Sequence, residues 1–384
     1  MIPDLQDVRD RTRAVTGRFD SGYWRETDVA RRYPAEFVDA MTASGLLSAL
    51  IPAEFGGLGW GLTEASVVME EINRSGGHSA ACHAQMYTMA PLLRHGSPEL
   101  VNRYLPEVAS GHLRLQAFSV TEREAGSDTS RITTRAVLDG DEYVVTGHKN
   151  WTSRMAQSDL ALVLCRTSDA GITRTDGLSL LLVDLRRARE EQPDAVTVTP
   201  VRTMFNYATN EVRYEGLRVP RDHVIGEPGA GFRYVIDGWN AERVLLAAEA
   251  IGDGYWFVET ASGYATERVV FGRPIGINQG VQFPIASAYM AIRAADLVRY
   301  DAAERFDAGL ACGVEANMAK LLASEASWQA ANACLDTHGG IGFVDAYDVE
   351  RKFRETRLYQ VAPVTNNLIR AFVGTKALGM PRSY

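Results

Sequence analysis

The spacing of hydrophobic residues changes twice along the chain. Up to about Gly111, apolar residues recur every three or four positions, most clearly in residues 28–48 and 63–76, which predicts helices. From His112 to about Glu227 the pattern becomes short apolar runs between polar turns, which is typical of strands. Helical spacing returns from Pro228 onward, with few breaks. The sequence therefore predicts an α+β fold, with an N-terminal helical domain (1–111), a central antiparallel β domain (112–227) and a C-terminal helical bundle (228–384).

Turn residues divide the central region. Asp139-Gly140-Asp141-Glu142 lies between two apolar runs, 136–138 and 143–146, and predicts a β-hairpin. The other predicted strands are 115–120, 160–164, 178–183, 196–198 and 209–214.

Composition excludes several classes of protein. The 384 residues carry a net charge of −8 without a basic run, which argues against nucleic-acid binding. No apolar stretch is long enough to cross a bilayer, and the first residues are polar, so we expect no membrane insertion and a cytoplasmic protein. The four cysteines and seven histidines form no metal-ligand spacing, and no metal is predicted. Four of the 40 basic residues are lysines; this bias points to a GC-rich genome more than to a function.

The most informative segment is the end of the first predicted strand, residues 115–128. It passes from an apolar run into a turn with Thr121, Gly126 and Ser127. The glycine lets the backbone approach a ligand closely, and the hydroxyls can donate to ring heteroatoms or phosphate oxygens. A second strand end, 147–153, follows about 30 residues later and carries Trp151 between polar residues. The pair predicts a site for a flat or anionic ligand, although either segment alone is compatible with an ordinary polar turn.

Together these segments resemble the flavin-binding signature of the acyl-CoA dehydrogenase family. The resemblance covers nearly the whole chain in the same order. It includes the Pro/Gly loop at 51–59, Gly231-Phe232, the Arg-x-x-Phe-Gly segment within 264–275, Gln279 and the Gly-Gly-x-Gly loop at 338–343. Several segments in a fixed order make a more specific signal than a single glycine motif.

The family resemblance implies a fold, a cofactor and partners. The fold would be a helical domain, an antiparallel β domain and a four-helix bundle. FAD would lie between the β domain and the bundle, in a homotetramer. The substrate would be an acyl-CoA or an acyl-carrier-protein thioester, and electrons would pass to electron-transfer flavoprotein or another acceptor.

The resemblance also implies which residues contact FAD. Trp151 is expected against the ring system and Ser153 near the hydride-accepting N5, where the family often has threonine. Arg268 is expected at the diphosphate, which a guanidinium matches in charge and geometry. The full set implied is Phe118, Val120, Thr121, Gly126, Ser127, Trp151, Thr152, Ser153, Arg268, Phe271, Gln279, Asp336, Gly339, Gly340 and Thr365.

The catalytic base is the main departure from the family pattern. Many members carry a glutamate near the C-terminus, but alignment on Thr365 places Pro363 there, which is neither a base nor an N–H donor. A subset carries the glutamate before an arginine on the first C-terminal helix, where this chain has Glu242 and Arg243. Glu242 lies on a predicted apolar stripe, where a carboxylate is costly unless it is paired or functional. The alternative is a buried structural ion pair, for example with Arg370.

The sequence leaves three functions open. The first is α,β-dehydrogenation of an acyl thioester with Glu242 as the base and Arg243 beside it. The second is a flavin monooxygenase on the same fold, which the proline at 363 keeps open. The third is a non-catalytic flavin-binding paralogue. A shared fold alone does not decide among them.

Overall fold

A computed structural model of the chain describes residues 5–169, 171 and 173–382. The helices that precede the sheet strands are α1 (Gln6–Thr16), α2 (Ser21–Val29), α3 (Ala35–Ala43), α4 (Leu62–Arg74), α5 (Ala80–Thr88), α6 (Ala90–His95) and α7 (Pro98–Ser110). The later helices are α8 (Leu185–Glu191), α9 (Gly231–Glu267), α10 (Gln279–Asp307), α11 (Gly313–His338), α12 (Val349–Thr356) and α13 (Asn366–Lys376).

Eight strands form one sheet in the central region. They are β1 (Leu115–Ser119), β2 (Arg135–Asp139), β3 (Glu142–Ser153), β4 (Leu160–Arg166), β5 (Leu178–Asp184), β6 (Val196–Pro200), β7 (Thr209–Pro220) and β8 (Val224–Ile225). Their order is β6-β7-β3-β2-β4-β5-β8, and β1 pairs with β4. Two short strands, β9 (Val269–Val270) and β10 (Arg273–Pro274), pair separately.

The predicted strands and the hairpin are confirmed, and the sheet is mostly antiparallel. β2 and β3 pair in antiparallel register, with Gly140 at φ +63° in the turn between them. The difference is that β1 runs parallel to β4, and β2 touches β4 in parallel at one residue pair. Parallel neighbours need a long crossover, and the chain from β1 to β4 supplies one through the β2–β3 hairpin.

The helical pattern of residues 28–48 proves to span several elements. It covers the end of α2, the helix α3 and a short 3-10 turn at Leu46–Ser48. The break falls where Arg31 has φ +51° and Pro34 precedes α3. Proline restricts the residue before it to extended conformations, so a single helix cannot pass through this point.

Backbone contacts divide the chain into two compact units. The first comprises residues up to Ala30, Trp60–Ser79 and Asn240 onward, and so holds α1, α2, α4 and the C-terminal helices. The second comprises Arg31–Gly59 and Ala80–Trp239, and holds the sheet with α3 and α5–α8. The division falls within α9. The boundaries of the three consecutive domains expected from the sequence, at residues 111/112 and 227/228, stay a prediction.

Two glycines allow α9 to approach its neighbours closely. A Cβ at Gly231 would lie 2.5 Å from the backbone nitrogen of Leu180, so the helix begins directly against β5. A Cβ at Gly252 would lie 2.3 Å from the carbonyl oxygen of Glu70, on α4. Any larger residue would push the elements apart.

In the part of the chain that the structure describes, no helix is both long and apolar enough to cross a membrane. The same residues contain no cluster of His, Cys, Asp or Glu side chains suited to a metal ion.

Candidate active site

The predicted ligand loop leaves the sheet at the end of β1. The backbone N–H of Asn150 donates to the carbonyl oxygen of Thr121 at 2.8 Å, which joins the ends of β1 and β3. Next to this contact, Trp151 has φ +61° and its side chain is 60% exposed. A non-glycine residue in this backbone region is uncommon, and such strain concentrates at ligand sites. The structure thus brings both sequence segments together around an exposed indole.

Neighbouring predicted residues point in different directions. Thr152 is fully buried, and its Oγ1 lies 3.1 Å from the Oγ of Ser119, which also accepts a hydrogen bond from Tyr214. Its hydroxyl therefore lies in the core of the sheet, and its carbonyl oxygen accepts a hydrogen bond from Nδ2 of Asn210 at 3.1 Å. Ser153 is half-buried, with Oγ 3.3 Å from Oγ1 of Thr209.

Part of this loop is open to solvent. Gly126 and Ser127 are exposed, and a Cβ at Gly126 would meet no atom within 4 Å. Phe118 and Val120 are half-buried, and the ring of Phe118 lies 6.0 Å from that of Tyr87 on α5.

A buried ion pair, Lys149–Glu122, stabilises the backbone of this loop. Lys149 is fully buried; its Nζ donates to the carbonyl oxygen of Val120 at 2.7 Å and lies 3.0 Å from Glu122. The same carboxylate accepts from the backbone N–H and hydroxyl groups of Thr133 and Thr134 at 2.6–2.9 Å. Burial opposes ionisation of Glu122, but Lys149 and these donors outweigh it and lower its pKa to about 2. The backbone at Val120 and Thr121 is thereby fixed.

Replacing Glu122 with glutamine should destabilise the protein by about 3 kcal/mol near neutral pH, because it leaves the Lys149 ammonium buried without its counter-charge. The folded pKa of Glu122 is below the unfolded value of 4.5, so the stabilisation is complete above pH 4.5 and is lost as pH falls towards 2. Urea unfolding midpoints of the parent and variant should therefore differ most at pH 7 and converge below pH 4.5. Equal midpoints at pH 7 would contradict this role.

A second group of predicted residues lies on α9. Glu242 is 5% exposed. Beside it, Nη1 of Arg243 donates to Oδ1 of Asn240 at 3.2 Å. Its Nε has no hydrogen-bond partner among the described residues, and burial lowers the pKa of its guanidinium. Val235 and Leu246, which belong to the same predicted apolar stripe as Glu242, are buried, whereas Ile236, a further member of that stripe, is 40% exposed.

Lys320 on α11 completes this group. It is fully buried, and its Nζ donates to the carbonyl oxygen of Val364 at 2.7 Å and to Oδ1 of Asn366 at 2.9 Å. Thr365, predicted to contact the cofactor, accepts a hydrogen bond from the backbone of Leu368 and caps α13. The loop that carries Pro363 is therefore held by a lysine within electrostatic range of Glu242.

Arg370, the candidate structural partner of Glu242, forms its ion pair with Glu325 instead. This particular alternative is therefore not the arrangement in the structure.

The remaining predicted residues lie on exposed segments of the first unit. Phe271 is completely exposed with φ +53°, in the turn between β9 and β10. Tyr264 stacks on His338 with ring centroids 4.2 Å apart, so the segment after α9 and the end of α11 lie at the same end of this unit. The other predicted residues here, all exposed, are Arg268, Gln279, Asp336, Gly339 and Gly340.

Each unit carries exposed residues of the kinds that contact a flat ring or an anionic group. In the second unit these are the indole of Trp151, the hydroxyl of Ser127 and the unobstructed backbone of Gly126. In the first unit, an exposed guanidinium accompanies an exposed phenyl ring and two glycines that leave space for a ligand.

Sequence reasoning missed the buried lysines and their partners. Lys149, Lys320 and Lys352 are each 0% exposed, whereas the chain uses arginine at nearly every other basic position. The scarcity of lysine was a usable signal. A compact ammonium with three donors fits a small buried site that a planar guanidinium would not, so retained lysines mark such sites.

Comparisons with known proteins show the family to which the chain belongs. Models of the acyl-CoA dehydrogenase N-terminal, middle and C-terminal domains match residues 3–112, 117–217 and 229–378. The chain is 31% identical to acyl-CoA dehydrogenase fadE12 of Mycobacterium bovis, over 99% of its length and 97% of the relative's.

Two further relatives give the same result. An acyl-CoA dehydrogenase of Bacillus subtilis is 31% identical over 90% of both chains. The structure of glutaryl-coenzyme A dehydrogenase with glutaryl-CoA is 28% identical and superimposes with a TM-score of 0.92, covering 100% of this chain and 97% of that one. The chain belongs to the acyl-CoA dehydrogenase family.

Proposed function

We propose that this chain is an FAD-dependent dehydrogenase that introduces an α,β double bond into an acyl thioester, with Glu242 as the base. The observation that supports this mechanism is the burial of Glu242 near the cations of Arg243 and Lys320. Pro363 occupies the position at which many family members carry the base instead. A carboxylate removed from water needs a function or a partner to be retained.

The reaction divides between the chain and its cofactor. Glu242 accepts the α-proton as the α C–H bond breaks, and that electron pair forms the new C=C bond. The β-hydrogen leaves with its bonding electrons, and bound FAD supplies the hydride acceptor. The thioester carbonyl must be polarised for the α-proton to be acidic enough. Pro363 cannot provide a backbone N–H for this purpose, so the donors come from elsewhere.

The test is anaerobic addition of acyl thioesters to the FAD-loaded protein. A series of butyryl-, isovaleryl-, octanoyl- and palmitoyl-CoA, followed by the corresponding carrier-protein thioesters, should identify a substrate that bleaches the visible flavin absorbance without another reductant. If none does so, and the flavin instead needs an external reductase and then consumes oxygen, the protein is a monooxygenase. Binding of FAD without either reaction would identify a non-catalytic paralogue.

We propose that Arg268 neutralises the FAD diphosphate, because it is an exposed guanidinium in the segment that matches the family motif. Arg268→Ala should weaken FAD binding by about 1.5–3 kcal/mol, or roughly 10- to 150-fold in Kd. Fluorescence titration of the apoprotein with FAD measures this effect. Arg273→Ala, in the same hairpin, is the matched control and should bind FAD as the parent does. Equal affinity in the Arg268 variant would remove this assignment.

We also propose a homotetramer in the cytoplasm that passes electrons to electron-transfer flavoprotein or another acceptor. Support for assembly comes from α10, where Phe283, Met290 and Leu297 are exposed at seven-residue intervals and form an apolar stripe. Support for a reducing compartment comes from the four cysteines, which are all buried and form no disulfide among the described residues. Sedimentation of the FAD-loaded protein as a monomer at micromolar concentration would contradict the tetramer.

A further inference from the structure

Lys320 lies in the same buried cluster as the proposed base, Glu242. The dehydrogenation proposed above gives Lys320 no chemical role. We propose that Lys320 is a positioning residue for Glu242: it holds the 361–366 loop by hydrogen bonds and, as a buried cation near the base, favours the ionised form of Glu242. This inference rests on the proposed function, in which Glu242 must be a carboxylate before it can take a proton.

The positioning part follows from the hydrogen bonds. One Nζ joins a backbone carbonyl, that of Val364, to a side chain at the start of α13, that of Asn366. Asn366 is further held by Ser324, one turn along α11 from Lys320, through a 3.0 Å hydrogen bond. The loop is thereby tied to α11 at two successive points, so its backbone cannot shift without breaking buried hydrogen bonds.

The electrostatic part follows from the charges around Nζ. Glu242 and Arg243 approach it from α9, and Glu325 lies on its own helix, where it is paired with Arg370 of α13. Asn366, the nearest α13 side chain, is neutral. Burial and Arg243 lower the pKa of Lys320 to about 7, whereas Glu242 acts in the opposite direction. A lysine balanced in this way responds to the charge on Glu242, and Glu242 responds to the lysine in return.

The coupling can be measured without a substrate because the chain has four lysines. In protein labelled with 13C at lysine Cε, the Lys320 signal should titrate near pH 7, and Lys320→Met identifies it. Glu242→Gln removes the opposite charge and should lower that midpoint by about 1 unit. Asn366→Asp, which is isosteric and adds a carboxylate next to Nζ, should raise it. An unchanged midpoint in Glu242→Gln would overturn the proposal; if Lys320→Met fails to fold, Lys320→Gln identifies the signal instead.

The effect of Lys320 on catalysis can be measured as the rate of flavin reduction, with the thioester that reduces the flavin of the parent protein as substrate. Lys320→Met should lower the rate constant at pH 7 by at least about 10-fold, since the loop and base lose their fixed geometry. It should also move the acidic limb of the pH–rate profile upward by about 1 unit, because Glu242 loses a cation that favours its ionised form.

Matched variants separate this role from a general effect on stability. Lys320→Gln can still donate to Val364 but carries no charge; it should recover part of the rate and keep the displaced acidic limb. Lys376→Met, on exposed α13 surface, should behave as the parent. A folded Lys320→Met or Lys320→Gln whose acidic limb matches the parent would refute the electrostatic role. If no thioester reduces the parent flavin, the proposed dehydrogenation fails, and the NMR midpoints still decide whether Lys320 and Glu242 are coupled.

Discussion

Glu242→Gln should lower the rate of flavin reduction by an acyl thioester about 10²- to 10⁴-fold, the usual loss when a positioned acid/base group is removed. Glutamine preserves the shape of the side chain but cannot accept the α-proton. FAD content and thioester binding should therefore match the parent, because neither depends on proton transfer. Stopped-flow absorbance under anaerobic conditions separates the chemical step from binding.

The matched control lies on the same helix. Glu259 is half exposed on α9 and pairs with Arg74, so Glu259→Gln should reduce its flavin at the parent rate. If Glu242→Gln is also reduced at the parent rate, Glu242 is not the base and the dehydrogenation mechanism is wrong. The oxygen-activating function, for which Pro363 was the sequence indication, would then be the better hypothesis.

Lys352→Met should cost about 3–5 kcal/mol of unfolding free energy, because it leaves a buried carboxylate without its counter-ion. Lys352 and Asp253 are both 0% exposed and form a direct ion pair, and Nζ also donates to the carbonyl oxygen of Gly77 at 2.8 Å. These contacts join α12, α9 and the segment that follows α4 in the first unit. The urea midpoint of the variant should fall well below that of Lys376→Met, the exposed control.

The stability lost in Lys352→Met should be larger at high pH than at low pH. Burial raises the pKa of Asp253 to about 7 even with the lysine in place. Without Lys352, Asp253 should take up a proton more readily, so the variant should lose less stability at about pH 5.5 than at pH 8. Adding Asp253→Asn to Lys352→Met should recover part of the loss at pH 8. A deficit that is the same at both pH values would show that the buried charge is not its cause.

Local patterns in the sequence predicted the elements that depend on nearby residues. The 139–142 turn gave the β2–β3 hairpin, since the turn residues and the flanking runs are adjacent in the chain. The pairing of β1 with β4 was not predicted, because it depends on the path of the chain through the hairpin rather than on either strand. The break at Arg31–Pro34 was also missed, although the proline was a local signal for it.

Some residues of the candidate site could be predicted from local sequence patterns, and others could not. Trp151, Gly126 and Glu242 could be identified because each stands in a short motif or an apolar stripe. Lys149 reaches Glu122 across 27 residues, and Lys320 reaches Asn366 across 46, so no local pattern linked them. The direction of the Thr152 hydroxyl into the sheet likewise depends on Ser119 and Tyr214, which approach from other strands. Contacts of this kind follow from tertiary structure.

The burial of three lysines also determines how the folded protein reacts with covalent reagents. Of the four ε-amines, that of Lys376, near the end of α13, is on the surface. Amine-reactive dyes, biotin esters and cross-linkers will therefore modify the lysines of the native chain almost exclusively at this position, far along the sequence from the residues proposed to act on the substrate. Lys376 is thus the lysine at which a label is expected on the folded protein, whereas unfolding would expose the other three lysine amines at once.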